Sequence, residues 1–295
     1  MPISKIKLVS VAAVLATALA AVAGCSSGGG AESSDGKPQI VVTTAFLADI
    51  VRPIAGDDAD IVQLIPDGAT PHSYSASAKD RATLEQADGL IAIGAGYEAG
   101  LPLDDSMAKR INVAELVGGA GSRPIDPHVW TNPSLMVRAA PIIARFLGDV
   151  DRAHAAAYNR RAGAEADALR KLDARIAKVL AVVPEPRRQL ITSHDALSRF
   201  AAHYDFEVLA TPFGLAPEAE ASAARVAKVV QAAKSSDIPA VFSQKGDNPA
   251  VMRRIASEAN VKVVDDLLVE GPGPGGRDYS SAMLHNARSI AGALR

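Results

Sequence analysis

The chain has 295 residues, 48% of them hydrophobic, with 31 Lys and Arg against 33 Asp and Glu. A net charge of −2 without any long basic block removes the electrostatic footprint of a nucleic-acid binder, and 4% aromatic content argues against a platform that stacks bases or sugars. The single cysteine excludes internal disulfides and thiolate metal sites, so stability has to come from apolar cores.

Lys5 and Lys7 give the chain a basic start, and residues 8–23 form an uncharged apolar run that meets Gly24 and Cys25. A membrane-spanning helix needs about 20 apolar residues with suitable flanks, so residues 1–24 read as an export signal. The stretch Ala21-Val22-Ala23-Gly24-Cys25 resembles the lipobox of bacterial lipoproteins, whose thiol is alkylated with diacylglycerol before the chain is cut just ahead of it. That resemblance implies lipidation at Cys25 and attachment to the membrane through the lipid. Two acyl chains hold a protein stably to a bilayer, whereas one, at about 0.8 kcal/mol per buried methylene, is marginal. Residues 25–37 are rich in glycine and serine and lack apolar periodicity, which fits a flexible tether.

From residue 38 the chain alternates. Short β-branched runs at 40–44, 60–65, 89–94 and 111–116 are predicted strands, separated by turn-rich or helical stretches such as 77–87. Residues 151–182 contain almost no glycine or proline and place Tyr158, Ala162, Leu169, Leu172, Ile176 and Val179 on one helical face. Pro184 and Pro186 end that helix. A second set of predicted strands follows at 189–193, 206–211, 240–244 and 261–265, with helices between them and at the C-terminus. The expected fold is α/β with two lobes, each a mostly parallel sheet flanked by helices, joined by one long helix. The expected divisions are a first lobe at 38–150, a linking helix at 151–183 and a second lobe at 184–295.

Three of the six histidines share a setting. His72 follows the run 61–65 through a Pro- and Gly-containing loop, His128 lies in Asp126-Pro127-His128-Val129-Trp130, and His194 ends the strand-like 190–193. Ligands of open α/β sheets bind at the carboxyl ends of strands. Any one of these histidines alone reads as a surface or structurally satisfied residue; the shared placement selects the three. His154, His203 and His285 fall inside helical patterns and read as surface or packing residues.

The wording around the three loop histidines resembles that of the metal-specific solute-binding lipoproteins of ABC importers, the zinc and manganese receptors of the ZnuA/TroA-like family. Gly68-Ala69-Thr70-Pro71-His72-Ser73-Tyr74, Asp126-Pro127-His128-Val129-Trp130 and Ser193-His194-Asp195-Ala196-Leu197 are similar to that family's first three ligand loops. Its fourth ligand is an acidic residue shortly before the final helix, a place taken here by Glu270, with Asp265 and Asp266 as alternatives. The resemblance spans almost the whole mature chain. It departs from the usual wording in glutamate for aspartate at the fourth position, in Thr131-Asn132-Pro133 after the second loop, in Gln244 where glutamate is common, and in lacking a histidine-rich insert.

The resemblance implies a non-enzymatic, monomeric receptor that binds its ion in the cleft between the lobes and delivers it to an ABC permease. It also implies a possible role in cell adhesion, which members of the family have been credited with. Three imidazoles and one carboxylate suit Zn2+ in tetrahedral geometry, with Mn2+, which prefers more oxygen ligands, as the alternative. Asp126 and Asp195 are the candidates for orienting the imidazoles through their other nitrogen. Ligating histidines have to be neutral, so affinity is expected to fall as pH drops through roughly 6.5. A cell-surface zinc hydrolase and an adhesin with a structural metal are the rivals; the chain has no His-Glu-x-x-His helix and no Gly-x-Ser-x-Gly turn.

Overall fold

The computed structural model describes residues 36–103, 109–118, 125–214, 221–272 and 277–295. The export signal, Cys25 and all of the tether up to residue 35 lie outside the described residues.

The first lobe is built from β1 (Gln39–Val42), α1 (Ala45–Ala55), β2 (Asp60–Gln63), α2 (Ala78–Glu85), β3 (Gly89–Ala92), β4 (Lys109–Asn112), α3 (Val113–Val117) and α4 (Pro133–Val150). Its four strands pair in parallel in the order β2-β1-β3-β4. Parallel sheets are covered on both faces, which is why the two central strands are apolar without alternation. Ile40, Val41, Val42, Leu90, Ile91 and Ala92 are all buried. One face joins the main core, and the other packs Val41 and Leu90 on Leu64, Ile65, Leu84 and Leu101. A capping box between Ser77 and Asp80 starts α2.

Two features of this lobe differ from the sequence expectation. The run 111–116 is strand only to Asn112; Val113–Val117 is a helix. The neighbouring β3 ends at the same level, where Ala92 pairs with Asn112, so no ladder remains for the following residues to join. The 18-residue α4 was not anticipated because Pro141 and Gly148 interrupt its pattern. Its start is well specified: Pro133 occupies the first turn, and the Asn132 side chain accepts a hydrogen bond from the Ser134 amide.

The long helix α5 spans Ala155–Leu180, preceded by a 3-10 turn at Arg152–His154. Asp151 explains the later start, because its carboxylate accepts from the Ala153 amide and caps the turn. At 1.5 Å per residue α5 is about 39 Å long. It buries Tyr158, Ala162, Ala166, Leu169, Leu172, Ile176 and Leu180, and packs against α4 and α1 from the first lobe and against the C-terminal helix.

The second lobe contains β5 (Gln189–Ile191), α6 (Ser198–His203), β6 (Glu207–Ala210), α7 (Ala223–Ser235), β7 (Ala240–Gln244), α8 (Ala250–Ala259), β8 (Lys262–Leu267) and α9 (Tyr279–Leu294). Its strands form two parallel pairs, β5-β6 and β7-β8, connected by a bridge between Thr192 and Phe242. Both pairs lose regular register at Leu190/Ile191 and Phe242/Gln244. The strands thus become irregular just where they approach His194 and Gln244, the latter being the last residue of β7. The architecture is α/β, with two lobes of parallel strands flanked by helices and one long helix along them. Among the described residues no helix is long and apolar enough to cross a membrane.

One buried side chain anchors the end of β8. Asn286, on α9, accepts from the Leu268 amide at 2.7 Å and donates to the Leu268 carbonyl at 2.8 Å. Replacing it with leucine keeps the volume and strands both backbone groups in the interior. Urea unfolding of Asn286→Leu should show stability lower by roughly 2–4 kcal/mol, since each unsatisfied buried group costs about 1–3 kcal/mol.

Candidate metal centre

Four loops meet at one point. His72 lies in the loop after β2, His128 just before the 3-10 turn Val129–Thr131 that leads into α4, His194 just after β5, and Glu270 just after β8. One ligand atom from each of the four lies within 4.8 Å of all the others. The Nε2 atoms of His72 and His128 are 3.4 Å apart, and Glu270 Oε1 is 3.7 Å from Nε2 of His72 and 3.5 Å from Nε2 of His194. The side chains are between 0% and 9% exposed, so the group is nearly dry. Among the described residues His194 Nε2 has no hydrogen-bond partner. A buried polar atom without a partner carries a desolvation cost that a ligand at this point would remove.

Asp126 lies against His128. Its Oδ1 accepts from Nδ1 of His128 at 2.8 Å and from the His128 amide at 2.9 Å. A proton on Nδ1 leaves the Nε2 lone pair facing the centre. Arg199, on α6, backs this pair: its Nε sits 3.2 Å from Asp126 Oδ2, and its guanidinium donates to the carbonyls of Asp126 and Gly118. Burial alone would raise the Asp126 pKa, but the His128 hydrogen bonds and the Arg199 charge outweigh it and hold the carboxyl below its usual range.

Asp195 does not play the matching part for His194. Its carboxylate accepts instead from the Ser198 hydroxyl at the start of α6, because its position after His194 turns it toward the helix end. The His194 loop is supported from elsewhere: Ser193 Oγ donates to Asp247 at 2.8 Å, and Gln244 Nε2 donates to the same carboxylate at 2.7 Å. Asp265 and Asp266 lie within β8 and face Arg253 and His285 respectively, away from the histidine group; only Glu270, past the strand end, reaches it. His154 binds Asp151, His203 binds Asp173 and His285 binds Asp266, so all three serve as local ties.

Three neighbours were not identified as contributors to the site in the sequence. Tyr97 packs edge-on against His72, with ring centres 4.6 Å apart, and touches His128 and Trp130. Glu98, 4% exposed, accepts from Thr43 Oγ1 at 2.6 Å and from the amides of Ile93 and Gly94. Burial raises its pKa, and those hydrogen bonds oppose the rise. This carboxyl secures the turn that carries Tyr97, at which Gly94 has φ +81° and a Cβ would lie 2.4 Å from Glu115 Oε2. Trp130 donates from its indole Nε1 to the Val269 carbonyl at 2.7 Å. The signal for Trp130 was present, since it is the only tryptophan in the chain and lies two residues after His128.

The comparisons with known proteins place the chain in a family. The family model described as zinc-uptake complex component A periplasmic, ZnuA, matches residues 40–293. The chain belongs to this family. Among curated ZnuA-family relatives, the manganese-binding lipoprotein MntA of Bacillus subtilis (strain 168) is 28% identical, with 93% of this chain and 95% of the relative covered. The zinc-binding lipoprotein AdcA of Streptococcus pneumoniae (strain ATCC BAA-255 / R6) is 27% identical over 88% of this chain and 56% of its own length. Among solved structures, the periplasmic zinc binding protein TroA from Treponema pallidum superposes with a TM-score of 0.81 at 26% identity, covering 88% of this chain and 99% of that one.

Burial dominates the protonation of two of the three histidines. It pulls His72 down to about 3, with help from the charge of His128, and His194 down to about 2, with help from His128 and His72. The expectation that protons compete from about pH 6.5 is therefore corrected for these two, because that value belongs to solvated imidazoles. Below 6.5 the unfolded chain takes up protons that the folded, metal-free chain refuses. Stability is then complete above about pH 6.5 and declines below it by roughly 1.4 kcal/mol per pH unit for each such histidine. Urea midpoints of the metal-free protein should drop between pH 7 and pH 5, and the drop should be smaller in His194→Ala.

Proposed function

We propose that this protein is the extracytoplasmic receptor of an ABC-type metal importer, capturing Zn2+ with Nε2 of His72, His128 and His194 and a carboxylate oxygen of Glu270. The observation that carries this reading is the convergence of four mutually adjacent, nearly dry ligand atoms from four separate loops. Tetrahedral zinc with ligands at about 2.0–2.1 Å has ligand-to-ligand edges of about 3.3 Å. Three of the six separations, 3.4, 3.5 and 3.7 Å, are close to that value, and all six lie within 4.8 Å, so the group has to contract by up to about 1.5 Å to reach it.

A zinc site that catalyses keeps an open position for water and commonly a base beside it. Four protein ligands instead enclose an ion for transport, and membership of a periplasmic uptake family points the same way. The ion is cargo here. Manganese is the second reading, favoured by relatives such as MntA and accommodated if Glu270 offers both oxygens. Lipidation at Cys25, as in relatives described as lipoproteins, would keep the receptor at the outer face of the cytoplasmic membrane beside its permease. In this reading residues 38–150 and 184–295 act as the two lobes that grip the ion, with 151–183 between them.

Competition against a chromophoric chelator, with elemental analysis of the purified protein, tests the assignment. His128→Ala and His194→Ala should each weaken zinc binding by at least about 100-fold while circular dichroism stays unchanged, because the cores lie elsewhere. His203→Ala should bind like the wild type. Unaltered stoichiometry and affinity in both ligand variants would sink the proposal.

A further inference from the structure

We infer that Trp130 is the positioning residue that fixes Glu270 over the histidines, which makes Glu270 mechanically part of the first lobe although its chain belongs to the second. The inference rests on the metal-binding reading above and adds a division of labour among the ligands.

The loop bearing Glu270 is tied at both flanks to one residue. On its near side the Val269 carbonyl, adjacent to Glu270, accepts from the Trp130 indole at 2.7 Å. On its far side Tyr279, the first residue of α9, donates its hydroxyl to the Trp130 carbonyl at 2.6 Å. Tyr279 is further held by the first lobe: its amide donates to Asp49 Oδ2 at 3.0 Å, and its ring packs edge-on against Phe46, both on α1. Trp130 itself is 3% exposed and follows His128 by two positions. Its ring lies 5.3 Å from the His128 ring and 4.8 Å from Tyr97, which in turn packs on His72. His72, His128 and Glu270 are thereby attached to one aromatic cluster.

His194 is held differently. Its carbonyl accepts from Thr192 Oγ1 and the Ala196 amide within its own loop, and although its ring lies 5.4 Å from that of His128 and 6.0 Å from that of His72, its backbone is tied to the second lobe and not to Trp130. Lobe separation would then withdraw one imidazole while the backbones bearing the other three ligands stay joined through the cluster. The indole N–H sets the height of Glu270, and without it the Val269 carbonyl is left buried and unpaired, which frees the loop to seek another arrangement.

Trp130→Phe keeps an aromatic ring and removes the donor. Zinc affinity, read by chelator competition, should fall roughly 10- to 100-fold, the range for residues that orient metal ligands. In a Glu270→Gln background the same change should cost less than about twofold, whereas in a His194→Ala background the full loss should persist. Tyr279→Phe, which removes only the far tie, should give a smaller loss that also disappears in Glu270→Gln. Hydrogen exchange of the amides at 269–271 in the metal-free protein should quicken in both variants. Wild-type affinity in Trp130→Phe and Tyr279→Phe, or an equal loss with and without the Glu270 carboxylate, would overturn the inference and leave the receptor reading standing. A wild-type protein that binds neither zinc nor manganese would overturn both.

Discussion

Three imidazoles and a carboxylate lie nearly buried with their ligand atoms within 4.8 Å of one another, an arrangement that a cation would complete. Each ring has given up hydration, and burial holds His72 and His194 neutral, which is the state a metal requires. The same desolvation that costs the metal-free fold some stability prepares the lone pairs for a positive ion. The surrounding structure serves to keep the four groups together despite that cost.

It does so with rigid elements behind short loops. The four-stranded sheet and the pairs β5-β6 and β7-β8 all end at the site, so that loops leaving β2, β5 and β8 converge there, and the turn into α4 adds a fourth. Behind them α5 packs on α1 and α4 of the first lobe and on α9 of the second, tying both lobes to one continuous helix. Wide hinge opening would have to bend or unpack that helix. Small displacements of the second-lobe loops need neither, and the irregular register at the ends of β5 and β7 places the least regular backbone beside His194 and Gln244.

Much of this was legible in the sequence because the informative residues are local. β-branched runs marked β1, β3 and β7, the apolar stripe from Tyr158 to Ile176 marked α5, and loop histidines after strand-like runs marked the site. The resemblance supplied Glu270, which no local pattern distinguishes from Asp265 or Asp266; those two lie within β8 and face other partners, whereas Glu270, past its end, lies beside the histidines. What stayed hidden depends on contacts between distant segments. Glu98 looks like a surface acid until Thr43 and two backbone amides close around it, and Asp195 looks like a histidine partner until Ser198 takes its carboxylate. α4 escaped because a proline at its centre hides the period, and the strand read at 111–116 gave way to α3 because its neighbour stops first.

Arg199 gives the pocket an asymmetry in time as well as in space. Its side chain projects from α6, in the same lobe as His194, yet its guanidinium grips the carbonyls of Asp126 and Gly118 and faces the carboxylate that aims His128. A shift of α6 large enough to carry His194 off would also strip Asp126 of its counter-charge and leave the His128 ring free to tilt. If the proposed ligand set holds the ion, its loss would then be cooperative: one displacement would weaken two bonds, and the lifetime of the loaded state would depend on how firmly a single helix is seated.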